Sequence, residues 1–180
     1  MAKTRAKDVT VNVTLNSETQ GDFTILPSPI GSLPTGPDGE LIFRNQGHPG
    51  FFVVFHLIDL TQRGYRFPPD SKKKEAVWSV LQANACPNAP EWAVFDPINI
   101  TADGKNLKVF NPNVDPVLGT FSYTLRVTKD GGATYLALDP GGSNQNGPIT
   151  RNNWNVAAAF VGGALVGALA VLGGQALLGG

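Results

Sequence analysis

The chain has 180 residues, with 14 Lys and Arg against 14 Asp and Glu for a formal net charge of zero. That balance carries no nucleic-acid footprint, so no nucleic-acid partner is expected. Glycine and proline number 21 and 14 while charged residues make up 16%, a turn-rich composition that suits many short strands and argues against a helical bundle. The single cysteine, Cys86, excludes an intrachain disulfide and fits a reducing compartment.

Residues 1–7 read as a short leader, and the first 22 residues lack the apolar centre of a secretory signal. Residues 8–15 alternate strictly, with Val9, Val11, Val13 and Leu15 on one face and Thr10, Asn12 and Thr14 on the other, the period of a half-buried strand. A shorter strand is expected over 22–26, and the proline- and glycine-rich stretch 26–39 reads as a loop. Residues 40–45 restart a strand. The near-continuous apolar run 51–58 (FFVVFHLI) predicts a central strand covered on both faces.

Residues 59–75 form a polar connection anchored by Tyr65 and Phe67, and 76–82 fit a helical turn or a strand equally well. Apolar stretches at 92–95 and 98–100 lead to a hairpin turn at Asp103-Gly104 and a strand through Leu107, Val109 and Phe110. The clearest hairpin follows over 120–138. Phe121, Tyr123, Leu125 and Val127 are expected inward, Ser122, Thr124 and Arg126 outward, with the turn at Asp130-Gly131. Trp78 is expected in the core with Tyr123 and Leu125. Residues 139–148 read as irregular polar chain closing the domain. Eight or nine short strands without a convincing helix before residue 150 predict an all-β, antiparallel β-sandwich over 8–150. The segment GTFSYTLRVTKDGG (119–132) resembles the penultimate strand of immunoglobulin-like and cupredoxin-like sandwiches, and that resemblance implies a sandwich outline.

Chemistry is sparse. A blue-copper site needs two His, a Cys thiolate and usually an axial Met. Here only His48, His56, Cys86 and the initiator Met1 are present, and Leu125, Arg126 and Val127 occupy the place where ligands would follow Tyr123. His56 reads as a core or interfacial histidine, His48 as a loop residue and Cys86 as a structural thiol. No Gly-x-Ser-x-Gly elbow or phosphate loop occurs, and neither an enzyme nor a cofactor or metal is expected. Asp139, Asn144 and Asn146 before Gly147 have oxygens at loosely calcium-like offsets, but one carboxylate is too few; a connector capping its own backbone is the expectation. Asn12 and Asn99 start Asn-x-Thr triplets that a cytosolic domain would leave unused. Lys72, Lys73 and Lys74 form the one basic run, a solvated loop or a contact for lipid headgroups.

The most informative stretch is 151–180. From Val156 to Leu178 Gln175 is the only polar side chain, and as a helix those 23 residues would extend roughly 35 Å, enough to cross a bilayer. Ala159, Gly163, Gly167, Ala170 and Gly174 recur at helical spacing as small-x3-small pairs that let helices approach closely. Trp154 stands where an interfacial anchor would stand. With Arg151, Lys129 and Arg126 upstream and nothing charged after, the positive-inside bias puts the folded domain in the cytosol. The expectation is a non-enzymatic, membrane-attached interaction or scaffold protein. Its single C-terminal Gly/Ala-rich helix would self-associate into a homo-oligomer in the lipid bilayer, and its sandwich would bind a protein partner. Two alternatives are a pore-forming or membrane-perturbing effector and a self-assembling shell or capsid component.

Overall fold

The computed structural model describes residues 5–19, 22–36, 40–45, 49–81, 87, 89–114 and 117–146. The chain divides into two units, Met1–Gly147 and Pro148–Gly180. The second unit, with the whole apolar segment, lies outside the described residues. The first is mostly β-strand, in two sheets with little helix.

Ten strands run β1 (Lys7–Leu15), β2 (Phe23–Ser28), β3 (Leu41–Asn45), β4 (Phe51–Asp59), β5 (Val77–Val80), β6 (Asp96–Ile100), β7 (Asn106–Asn111), β8 (Gly119–Val127), β9 (Leu136–Leu138) and β10 (Gly141–Asn146). A 3₁₀ turn, Asp70–Lys72, and one helical turn, α1 (Lys73–Ala76), precede β5. One sheet has the order β2-β1-β4-β7-β6, the other β3-β10-β8-β5, with β9 also on β8. The sheets are mixed rather than purely antiparallel. β1 pairs with β4 in parallel, Val9 beside Val53 through Leu15 beside Asp59, and β3 pairs with β10 in parallel.

Alternation in the sequence becomes alternation of burial. On β1, Val9, Val11, Val13 and Leu15 are buried and Thr10, Asn12 and Thr14 half-buried. β4 is central, but covered on one face only: Phe51, Val53, Phe55 and Leu57 point inward, while Phe52, Val54, His56 and Ile58 remain half-exposed. Its continuous apolar run reflects an outer face of rings and branched chains, with Phe52 packed 5.2 Å from Phe110 and Lys108 Nζ 4.6 Å above Phe52.

Aromatic rings fill the space between the sheets. Phe51 of β4 meets Phe43 of β3 edge-on at 5.2 Å, and Phe55 lies 5.8 Å from Tyr123. Phe95, from the chain before β6, reaches Phe55, Phe121 and Tyr123 at 5.8, 5.4 and 5.2 Å. Ser79 sets that ring's position: its fully buried Oγ accepts hydrogen bonds from the amides of Val94 (3.1 Å) and Phe95 (2.9 Å). Tyr65 and Phe67 are buried anchors, as expected.

Four further elements differ from the sequence reading. Within 76–82, Val77–Val80 form β5, with Val77 and Ser79 inward and Trp78 on the outer face, so Trp78 is not core. Ser122 and Thr124 keep the outward phase of β8 but are buried; Thr124 Oγ1 donates to Asp139 Oδ1 at 2.6 Å, which lays the chain after β9 over that face. The described part of 139–148 is not irregular: 141–146 is β10, wedged between β3 and β8. Finally, β2 runs through Pro27 and Ser28, two residues past the end expected for it.

Candidate interaction surface

On the outer face of β5, β8 and β9 the sheet brings together residues far apart in sequence. Arg126 on β8 lies between two rings, its Cζ 4.0 Å from Trp78 of β5 and 4.0 Å from Tyr135 just before β9. Its Nη1 donates to the carbonyl of Glu75 at 3.3 Å. The Tyr135 hydroxyl donates to Glu75 Oε2 at 2.5 Å. Burial, then the hydrogen bond to Glu75 and that carboxylate's charge, push the phenol up to about 12. Burial lowers the Arg126 guanidinium from its ordinary value, as taking a cation from water must. Both faces of the guanidinium are occupied, so it serves as a fixed cation–π link.

The three lysines of the basic run split by role. Lys73 is half-buried and its Nζ donates to the carbonyl of Ile98 at 2.6 Å, while Asp70 Oδ1 accepts from the amide of Ile100 at 2.8 Å. Both backbone groups lie on the outer edge of β6. The short turn 70–76 therefore closes a strand edge with two side chains, a known way of blunting sheet edges. Lys72 and Lys74 are exposed. Lys72 Nζ donates to Gly132 O at 3.2 Å, Lys74 Nζ lies 5.1 Å over Trp92, and Trp92 Nε1 donates to Lys74 O at 3.0 Å. The face thus offers two exposed ammonium groups beside half-exposed rings, which suits an anionic or aromatic-binding surface. Sequence reasoning missed Trp92, Tyr135 and Arg126 as a group; the available signal was the outward phase of Arg126 on β8, since Trp92 and Tyr135 lie outside the strands.

The remaining expected site residues are scattered. His56 lies on the outer face of β4 with Nδ1 2.8 Å from Asn106 Oδ1, which makes Nδ1 the donor. Ala159, Gly163, Gly167, Ala170, Gly174 and Trp154, together with His48 and Cys86, lie outside the described residues. Among the described residues no group of three or more His, Cys, Asp or Glu could hold a metal ion. No helix among them is long and apolar enough to cross a membrane.

No protein-family model and no curated protein sequence matches the chain. Among solved structures it is similar to the N-terminal domain of phage TP901-1 ORF48, at 8% identity and a TM-score of 0.33, over 76% of this chain and 97% of that one. Likeness at that level carries no argument about function.

Proposed function

We propose that this protein is a non-enzymatic, membrane-attached interaction or scaffold protein. Its domain, of immunoglobulin-like or cupredoxin-like outline, stays in the cytosol on a single C-terminal helix. That helix, rich in Gly and Ala, crosses the bilayer and associates with copies of itself through Ala159, Gly163, Gly167, Ala170 and Gly174. The reading rests on one observation: between Val156 and Leu178 the only polar side chain is Gln175. Glycine destabilises such a helix in water by roughly 1 kcal/mol per residue relative to alanine, while lipid enforces it by leaving no other partner for backbone groups. The filled aromatic interior between the sheets supports a binding role over a chemical one. Lys72 and Lys74, both exposed, suit headgroup contact and Trp154 an interfacial anchor; Lys73, spent on Ile98, suits it less.

Carbonate extraction of membranes from expressing cells tests this. The full chain should stay in the membrane pellet, and a variant ending after Thr150 should appear in the supernatant. Full-length protein released by carbonate would rule out the spanning helix. Large particles in detergent-free solution would favour the shell component instead.

A further inference from the structure

The strand orders of the two sheets end at β2, β6, β3 and β5, and among the described residues the last three carry hydrogen bonds on their outer sides. β6 is closed by Asp70 and Lys73. Ser79, in the middle of β5, donates to Glu91 O at 2.8 Å and accepts from the amide of Ala93 at 2.9 Å. On β3 the amide of Ile42 donates to Pro34 O at 3.0 Å and Glu40 O accepts from Gly36 at 2.8 Å. That leaves only Arg44, a charged residue, with outward backbone groups in its middle.

The fourth edge, β2, is different. The ladder with β1 runs from Thr10 opposite Ser28 to Leu15 opposite Phe23 and continues one step further, where the amide of Asn16 donates to Asp22 O at 3.1 Å. Asp22 therefore points its backbone at β1, and by alternation so do Thr24, Leu26 and Ser28. The backbone groups of Phe23, Ile25 and Pro27 point away, and among the described residues no hydrogen bond is made to those of Phe23 and Ile25. Pro27 stands where its missing N–H would have faced outward, the position an edge strand tolerates. Beside this edge, Leu26 is 47% exposed and Ile30 89% exposed.

We propose that β2 is a self-docking edge, at which two copies pair antiparallel across a two-fold axis passing by Thr24. In this register Phe23 of one copy lies opposite Ile25 of the other. Each of the four residues both donates and accepts, and the missing donor at Pro27 falls outside this closed ring of bonds. Thr24 faces its own copy in the non-hydrogen-bonded position, where side chains come closest, and threonine pairs favour that placement. Leu26 flanks the seam on the same face and is partly covered by the opposite strand. The two five-stranded sheets then form one continuous sheet. Such a seam is far smaller than a stable interface in free solution, so it acts where copies are already concentrated, as on a membrane or in a particle. The proposal does not depend on which of those holds.

Site-specific oxidation tests it on the full chain in detergent micelles or liposomes, in a Cys86→Ser background. Thr24→Cys, exposed and so tolerant of exchange, should form a dimer on mild oxidation that a reductant reverses, at least ten-fold faster than Ala133→Cys, an exposed site elsewhere. Thr24→Lys should abolish edge pairing, judged by loss of amide-exchange protection at Phe23 and Ile25. Co-expression of Thr24→Lys with Thr24→Glu should restore it. Thr24→Cys cross-linking no faster than Ala133→Cys would overturn the proposal, as would protection of Phe23 and Ile25 supplied by a different protein. Membrane extraction is read separately, so either idea can fail alone.

Discussion

Tyr123 shows how one side chain can be well packed and poorly satisfied. Its ring sits among Phe55, Phe95 and Phe121 and is fully buried, yet no described group hydrogen-bonds its hydroxyl. Burial, with a smaller push from the charge of Glu40, holds the phenol neutral to well above its ordinary range. A buried hydroxyl without a partner costs about 1–3 kcal/mol. Tyr123→Phe should therefore raise stability by about 1 kcal/mol in urea unfolding, and a loss would show that the hydroxyl has a partner. Trp78 teaches the reverse. Its size suggested core, but the register that places Val77 beside Leu125 turns Trp78 outward, where Arg126 covers its ring. Residue type speaks to burial only through strand phase, and a four-residue strand has too few residues to declare its phase.

At the scale of elements, β10 is the most constrained. It is sandwiched between β3 and β8, and a Cβ on Gly142 would overlap the ring of Phe121. Gly142→Ala should therefore destabilise by about 1–3 kcal/mol, measured by the urea midpoint, whereas Gly131→Ala meets no neighbour and costs only the strain of its φ of 72°. Strong alternation made β1 and β8 legible in the sequence, because each pattern is local. β10 was not legible: GGSNQN contains no apolar residue, and it is a strand because two neighbours supply its hydrogen bonds. The closure of β6 was equally hidden, since Lys73 and Asp70 act on residues 25 and 30 positions away.

For the whole molecule, stability should fall at both ends of the pH range. The Lys129 and Tyr65 hydrogen bonds lower Glu18, the Thr101 hydroxyl lowers Asp103, and the Thr128 and Thr134 hydroxyls lower Asp130 strongly. Burial opposes ionisation of Asp59, but hydrogen bonds from Thr61 and Tyr65 outweigh it. Carboxylates depressed in the folded state stabilise it above their unfolded values, and that contribution is lost as pH falls through the folded ones. The urea midpoint should thus drop below the ordinary carboxylate values of 4.5 and 3.8. On the alkaline side, burial raises Tyr65 and Tyr123 and pushes Tyr135 to about 12. Their neutral forms stabilise the fold below the unfolded value of 10, and that contribution is lost as pH rises towards about 12. A flat midpoint across either limb would contradict the hydrogen bonds described.

The order of residues alone determined that the described chain up to residue 146 is mostly strand with little helix, and that between Val156 and Leu178 Gln175 is the only polar side chain. Both conclusions rest on neighbours within a few residues, where alternation and polarity act directly. Only the folded chain decided which strands lie side by side, which pair in parallel, that Trp78, Arg126 and Tyr135 meet, and that Phe23 and Ile25 of β2 turn their backbone groups away from β1. Many of those outcomes come from hydrogen bonding and ring packing between segments distant in sequence, such as Leu41 beside Gly142 and Trp78 against Arg126, whose closeness no local pattern encodes.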